Sequence, residues 1–374
     1  MNKNRPVFKV LVDEKTLRFT KVLDTYDLEY LPYQVQHTDN DLSLADFEHW
    51  FFHRKQPEFR QDLDYVLDSL NISRIEEIMF KNYALNVIDH YWLKPVDAEV
   101  KWEDINYFYN PINTDLGKVI FKLADDVDSY ESADMLTDGW LAKSWTKRDG
   151  ELVLLKNGSN EYDQEIPNEI FASRVAELLG FDYVPFSKEK LADFYVSTCK
   201  NIVDKDTELV KIREFTYHDD IWDKEDSFER LIALIEAVGI KDARERIEDI
   251  LVLDYIILNQ DRHLRNFALI RDADSLEFLK VAPIYDSGAS MFLGIKDEEI
   301  ETHIPHAQPF KPSFDEQIKL VNLDRYDFSV LDNIEDEVYK IYTGSYMDEL
   351  NPHRKDILAK KVRERVDKLI SLQN

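Results

Sequence analysis

The sequence predicts a mixed α+β protein in which a small strand-rich lobe precedes a larger helical lobe. Short runs of β-branched, aromatic and aliphatic residues begin near residue 118 and are separated by turn dipeptides, Asp138-Gly139 and Asp149-Gly150. From about residue 225, apolar residues recur at the three- and four-residue spacing of helices. The chain has 374 residues, 44% of them hydrophobic, which is enough apolar material for folded cores.

The small lobe combines strands with one long helix. The strands are predicted over 118–123, 139–145, 151–156 and 193–199. A helix is predicted over 168–179, because its apolar residues share one face and Gly180 follows as a stop signal. The order strand, strand, helix, strand is typical of a lobe that holds a nucleotide.

Helical patterns dominate the rest of the chain. Two helices are predicted over 225–238 and 247–258, and residues 43–105 are predicted to be mostly helical. No functional motif is recognisable in the first 115 residues. We therefore predict three segments, which are an extra, mostly helical N-terminal region of unknown function over 1–115, the small lobe over 116–210 and the helical lobe over 211–374.

The charge of the chain is strongly negative. It has 75 acidic and 47 basic residues, a formal net charge of −28, so direct nucleic-acid binding is not expected. Cys199 is the only cysteine, which excludes an intrachain disulfide and zinc sites built on several thiolates. Because there is neither a signal-peptide core nor an apolar run of about 20 residues, we expect a cytoplasmic protein without a membrane segment.

Two short segments carry the residues expected to do chemistry. Residues 259–270 read NQDRHLRNFALI, and residues 281–288 read VAPIYDSG. Asp261 and Asn266 have the D-x-x-x-x-N spacing of a phosphoryl-transfer loop, in which a carboxylate orients the attacking hydroxyl and an amide oxygen binds Mg²⁺. A predicted strand pair then returns the chain, so that Asp286 comes back beside Asn266 as a second oxygen ligand.

These motifs resemble the catalytic core of HipA-like serine/threonine kinases. The family pattern D-x-H-x-x-N-F, followed by a strand pair and P-x-Y-D, is matched by Asp261, His263, Asn266, Phe267, Pro283, Tyr285 and Asp286. Upstream, GWLAK at 139–143 resembles the family's nucleotide loop, and LVLLKN and NEIFASRVAELLG resemble its lysine strand and the helix after it. The resemblance covers about residues 118–374 and implies a two-lobed, protein-kinase-like fold that uses ATP and Mg²⁺.

The resemblance also implies residue roles. Asp261 would act as the base-like residue, with Asn266 and Asp286 as the Mg²⁺ ligands. Lys156 would bind the α- and β-phosphates, with Lys143 as its rival and Glu169 as its ion-pair partner. The nucleotide loop would include Thr137, Asp138 and Gly139. His263 is interpreted as structural, whereas Arg262 and Arg265 are open to either contact with substrate or ATP or a solvated or loop-bracing role.

The leading hypothesis is an ATP-dependent kinase acting on a serine or threonine of a protein, with a component of translation as one candidate substrate. Autophosphorylation of the nucleotide loop is part of this hypothesis, and the candidate acceptors are Ser132, Thr137 and Ser144. A separate basic DNA-binding antitoxin is the expected partner, although the family's usual N-terminal extension is not recognisable in residues 1–115. Two alternatives stay open, a small-molecule or lipid kinase and a pseudokinase or interaction module acting through residues 1–115.

Overall fold

The computed structural model describes residues 1–36, 43–54, 63–125, 134, 141–159, 164–343 and 352–373. Its strands are β1 (Phe8–Val12), β2 (Phe19–Thr25), β3 (Lys143–Arg148), β4 (Glu151–Lys156), β5 (Ser187–Leu191), β6 (Phe194–Lys200), β7 (Thr207–Lys211), β8 (Ala268–Asp272) and β9 (Phe278–Val281). Its helices are α1 (Tyr33–Gln36), α2 (Leu44–Phe52), α3 (Leu63–Ser69), α4 (Ile75–Lys81), α5 (Trp102–Ile105), α6 (Asp115–Ile120), α7 (Glu165–Leu179), α8 (Ile212–Phe215), α9 (Ser227–Ala237), α10 (Ala243–Ile257), α11 (Phe314–Gln317), α12 (Ile334–Ile341) and α13 (Pro352–Gln373).

The chain forms two compact units, each built from three stretches of sequence. The first unit comprises Met1–Lys156, Lys200–Asp219 and Ile270–Glu277. The second comprises Asn157–Cys199, Asp220–Leu269 and Phe278–Asn374. The sequence predicted three segments, 1–115, 116–210 and 211–374. The division into two units does not test them, and they stay a prediction.

The first unit contains two antiparallel hairpins, each beside an apolar cluster. Strands β1 and β2 pair with each other, and buried aromatic residues of α2, including Phe47 and Phe51, pack in the neighbouring cluster. Strands β3 and β4 pair from Lys143 opposite Lys156 to Arg148 opposite Glu151. This second hairpin contributes Trp145 to a cluster that also contains Trp92 and Trp102. Buried aromatic residues therefore form a large part of both apolar clusters of the first unit.

The second unit is mainly helical. Helix α7 ends at Gly180, whose φ of 73° is left-handed, a conformation that glycine adopts without steric cost. Helix α10 is buried along almost its whole length and contacts α7, α9 and α13. Because helix α10 is buried on all sides, its C-terminal end provides a rigid base for the segment that follows.

The predicted hairpin after residue 266 is confirmed. Strands β8 and β9 are neighbours in one sheet, and directly after β9 the Ala282 N–H donates to the Ala268 carbonyl at 2.8 Å. Near the turn, the Asp272 N–H donates to the Glu277 carbonyl at 2.9 Å. The hairpin thus reverses the direction of the chain between Asn266 and Asp286, as the predicted strand pair requires.

Most of the other predicted elements are also confirmed, with small shifts at their ends. The strands over 151–156 and 193–199 correspond to β4 and β6, and the helices over 168–179, 225–238 and 247–258 correspond to α7, α9 and α10. Of the strand predicted over 139–145, residues 139 and 140 lie outside the described residues, and β3 begins at Lys143.

One prediction for the first unit was wrong, and one hairpin of this unit was not predicted. The strand predicted over 118–123 is helix α6, in which Leu116, Val119 and Ile120 are buried at helical spacing. In the region predicted to be mostly helical, the sequence reading missed the β1–β2 hairpin. Helix and strand cannot be told apart by periodicity in apolar runs as short as that of α6, which explains the wrong prediction. Across the described stretches, no helix is both long and apolar enough to span a membrane.

Candidate functional site

The loop that carries Asp261 begins at a sharp turn at the end of α10. Leu258 is left-handed there, with a φ of 56°, and the Asn259 N–H donates to the Asp254 carbonyl at 3.0 Å. A left-handed leucine costs roughly 1–2 kcal/mol, so the surrounding contacts must impose this conformation. The turn directs residues 259–266 away from the helix axis.

Asp261 and Asn266 are joined within this loop. The Asn266 side-chain nitrogen donates to the main-chain oxygen of Asp261 at 2.8 Å, and the Asn266 N–H donates to the His263 carbonyl, also at 2.8 Å. Asn266 is buried, whereas the Asp261 side chain is 50% exposed. The loop therefore places a solvent-accessible carboxylate beside an ordered amide.

Asp286 is held at the end of the segment after β9. The Ile284 N–H donates to the Asp182 carbonyl at 2.8 Å, and the Val184 N–H donates to the Ile284 carbonyl at 2.9 Å. Asp286 itself is left-handed, with a φ of 54°. Aspartate tolerates this conformation better than most residues, and such backbone conformations cluster at functional sites.

Arg262 connects the two segments. Its buried guanidinium donates to both Asp254 carboxylate oxygens, at 2.9 and 3.0 Å, and to the carbonyls of Asn266 and Tyr285, at 2.5 and 2.7 Å. Burial lowers the pKa of Arg262, but the nearby Asp254 carboxylate outweighs that effect and raises it overall. Of the two roles that the sequence left open for Arg262, the structure supports loop bracing.

A second bond links the same two segments. The Tyr285 hydroxyl donates to the Arg265 carbonyl at 3.0 Å. The tyrosine of the P-x-Y-D motif therefore connects the segment around Asp286 to the loop around Asn266. The structure brings the three residues predicted to be catalytic onto two chain segments that are bonded to each other.

Glu169 of α7 is also bonded to the Asp286 segment. One of its carboxylate oxygens accepts a hydrogen bond from the Ser287 N–H at 2.9 Å. A Cβ on Gly288 would lie 3.2 Å from the other oxygen, so glycine allows the close approach of the two segments. Lys156 lies in the first unit and Glu169 in the second, and their ion pair stays a prediction.

His263 is bonded within the loop, and its structural role stays a prediction. Its Nδ1 accepts from the Arg265 N–H at 3.3 Å, so in the neutral ring Nε2 carries the proton. Nε2 lies 3.9 Å from an Asp261 carboxylate oxygen, beyond hydrogen-bond distance.

The two candidate phosphate-binding lysines are neighbours. Lys143 and Lys156 stand directly opposite each other in the β3–β4 ladder, and both are buried. Directly opposed residues share one face of a sheet, so the two rivals named from the sequence lie side by side on that face.

The predicted nucleotide loop is only partly described. Thr137, Asp138, Gly139 and the candidate phosphate acceptor Ser132 lie outside the described residues. Ser144 is buried, and its hydroxyl donates to the Asp134 carboxylate at 3.1 Å. Its burial argues against Ser144 as an acceptor.

The donor atoms of the candidate site suit Mg²⁺. The Asn266 bond to Asp261 uses the amide nitrogen and leaves the amide oxygen as a ligand, and Asp286 offers a carboxylate. Mg²⁺ in phosphoryl-transfer sites takes one or two protein oxygens and completes its shell with phosphate and water. Within the described residues, no group of three or more His, Cys, Asp or Glu side chains is placed to hold a metal ion.

Comparison with known families places this geometry in context. The model of the HipA-like C-terminal domain family matches residues 122–340, more than half of the chain. The chain belongs to this family. The family match spans α7, α10, the 259–266 loop and Asp286, so the HipA-like domain contains every predicted site residue. A search of curated protein sequences found no match.

Two solved structures are similar to this HipA-like chain. Shewanella oneidensis MR-1 HipA, solved in a toxin–antitoxin complex with HipB and operator DNA, is 12% identical, with a TM-score of 0.59. That match covers 98% of this chain and 97% of the other. The Helicobacter pylori proinflammatory kinase CtkA is 17% identical over 62% of this chain and 95% of its own, with a TM-score of 0.47. At these identities, the match to HipA shows a shared mixed α+β fold.

Some residues of the site were missed by sequence reasoning. Asp254 is not among the predicted site residues, although an acidic residue among apolar neighbours signals a buried partner. Asn168 donates to the carbonyls of Gly288 and Ser290, at 2.7 and 2.8 Å, and no sequence signal points to this contact.

Proposed function

We propose that this HipA-like chain is a kinase that transfers the γ-phosphoryl group of ATP, with Mg²⁺, to a serine or threonine hydroxyl of a protein. The family assignment supports a HipA-type kinase in general. The observation that carries the specific proposal is the bonded arrangement of Asp261, Asn266 and Asp286 on two segments joined by Arg262.

In the proposed reaction, the acceptor oxygen forms a bond to the γ-phosphorus while the bond from that phosphorus to the β,γ-bridging oxygen breaks, and ADP leaves. Asp261 orients the acceptor hydroxyl and takes its proton, a role for which a half-exposed carboxylate at the loop surface is suited. Asn266 and Asp286 would hold Mg²⁺, which supplies charge neutralisation at the phosphate oxygens when bound.

Lysine and backbone groups would complete nucleotide binding. We assign Lys156 to the α- and β-phosphates, with Lys143 adding positive charge on the same sheet face. The loop around Gly139, with Thr137 and Asp138, would contribute N–H groups to the phosphates, and Glu169 would pair with Lys156. Of the proposed autophosphorylation sites, Thr137 and Ser132 remain, because Ser144 is buried.

The partner proposal follows from charge. HipA of Shewanella oneidensis is found with HipB and operator DNA. For this chain we propose a separate basic DNA-binding protein as partner, since a net charge of −28 favours a basic protein and disfavours direct DNA contact. The acceptor protein would be a component of translation, or the chain itself.

The test is label transfer from γ-labelled ATP by the purified full-length protein, with Mg²⁺ or with EDTA, alone and with a cell lysate. The proposal expects label on serine or threonine of the chain itself or of a lysate protein, only with Mg²⁺ and not with Asp261→Asn. Label found only on lipid or small molecules would reassign the substrate class. An absence of transfer and of ATP hydrolysis under all conditions would overturn the kinase assignment.

A further inference from the structure

All five N–H donors of Arg262 are used inside the second unit. Nε and one hydrogen of Nη2 bind the Asp254 carboxylate, at 2.9 and 3.0 Å. The second hydrogen of Nη2 binds the Ser287 hydroxyl at 3.1 Å. Nη1 binds two main-chain carbonyls, those of Asn266 and Tyr285, at 2.5 and 2.7 Å. The guanidinium is therefore fully saturated and has no donor left for a substrate.

The two carbonyls bound by Nη1 lie next to the predicted metal ligands. One belongs to Asn266 itself, and the other belongs to the residue immediately before Asp286. One nitrogen atom thus sets the distance between two carbonyls that are 19 residues apart in sequence. Helix α10 anchors the guanidinium through Asp254, which accepts from Nε and Nη2 and is itself buried.

Only arginine can make this set of contacts. Its planar fork presents five donors on three nitrogens, whereas lysine has three donors on a single nitrogen and cannot span four acceptor groups. A lysine at this position would preserve the positive charge opposite Asp254 and would lose the geometry.

We infer that Arg262 is a positioning residue: it holds the main chain of Asn266 against the main chain of residues 285–287, so that both predicted oxygen ligands act on one Mg²⁺·ATP. The inference rests on the proposed function. It goes beyond that function by assigning the shared geometry of the two ligands to one buried side chain that does not touch substrate.

The first readout is backbone amide hydrogen exchange of the nucleotide-free full-length chain, which requires no activity. The matched variants are Arg262→Lys and Arg271→Lys. Arg271 is just as buried and is paired with Glu208, but its acceptors are the Glu208 carboxylate and the Tyr91 hydroxyl. We expect exchange at the Asn266 and Ser287 amides to rise at least tenfold in Arg262→Lys and to change little in Arg271→Lys.

The second readout is the Mg²⁺ concentration that gives half-maximal label transfer. We expect it to rise more than tenfold in Arg262→Lys and to stay at the wild-type value in Arg271→Lys. If wild-type protein transfers no label, the proposed function is wrong. The exchange data would then still show whether Arg262 holds the two segments together. If Arg262→Lys does not fold, Asp254→Asn, which weakens the anchor, should show the same pattern with smaller amplitude. Wild-type exchange at both amides together with an unchanged Mg²⁺ midpoint would overturn the inference.

Discussion

Arg262 in the second unit and Arg271 in the first are similar by every simple measure. They are 1% and 2% exposed, and each is paired with a buried carboxylate, Asp254 for the former and Glu208 for the latter. Burial lowers the pKa of both guanidinium groups, and in both the attraction of the carboxylate more than compensates.

They differ in where their remaining hydrogen bonds go. Arg262 donates to main-chain carbonyls of the Asn266 and Tyr285 segments, whereas Arg271 donates to the Tyr91 hydroxyl, which in turn donates to the Leu31 carbonyl. A buried ion pair is weak evidence for either stability or function. The acceptors that a buried arginine binds besides its paired carboxylate therefore distinguish a residue of the site from a residue of the core.

The largest expected effect is a loss of label transfer, with little loss of stability, when an aspartate of the site is replaced. Asp261→Asn and Asp286→Asn should each lower label transfer by a factor of about 10³ or more, because each removes a charge that the reaction uses. Asparagine tolerates the left-handed backbone at position 286, so unfolding free energy should change by less than about 1 kcal/mol. Urea unfolding and label transfer measured on the same samples check this, with Asp274→Asn, an exposed aspartate of the first unit, as the control.

The two arginines provide the next test. Arg262→Met and Arg271→Met should each cost about 3–5 kcal/mol of stability, because each leaves a buried carboxylate without its partner. Transfer per folded molecule should fall sharply only in Arg262→Met. Equal losses of activity in both variants, after correction for the folded fraction, would remove the distinction drawn here.

A smaller effect is expected at the lysine pair. Lys156→Met should weaken ATP binding about 10- to 100-fold, the size of a charge-assisted hydrogen bond, and Lys143→Met should weaken it less. Fluorescence titration with a labelled ATP analogue measures both affinities. Normal binding by Lys156→Met with impaired binding by Lys143→Met would exchange their roles.

The smallest effect concerns pH and belongs to the first unit alone. Burial raises the pKa of Glu208, but Arg271 and His90 outweigh this and lower it below its ordinary value of 4.5. A carboxyl with a lowered pKa in the folded state contributes stability above about pH 4.5, and that contribution is lost as the pH falls through the lowered value. Melting temperatures between about pH 6 and about pH 3 should therefore fall less steeply in Glu208→Gln than in the wild type. Parallel curves would show that Glu208 does not contribute to the acid sensitivity.

Sequence reasoning reached the helices and strands around the site because their signals are local. Gly180 marks the end of helix α7, and two apolar runs on either side of a turn predict the β8–β9 hairpin. The same reasoning failed for α6, where a run of apolar residues fits either a strand or a helix until its neighbours are known.

The contacts within the site were less accessible from sequence. The spacing of Asp261 and Asn266 indicated the loop, but the role of Arg262 depends on Asp254 and on the Tyr285 carbonyl, 23 residues further along the chain. Every residue has a main-chain carbonyl, so the pattern of residue types does not show which carbonyls a side chain binds. Likewise, the register that sets Lys143 opposite Lys156 emerges only from strand pairing.

Asn266 and Asp286 are proposed to hold one Mg²⁺ together against a bound nucleotide, and calorimetric titration with a non-hydrolysable ATP analogue is the decisive measurement. Wild-type protein should bind the analogue at least tenfold more tightly with Mg²⁺ than with EDTA. Asp286→Asn and Asn266→Ala should each lose most of this difference while keeping the affinity measured in EDTA. If wild-type affinity is the same with and without Mg²⁺, or if the magnesium effect survives in both variants, Asn266 and Asp286 do not hold the ion.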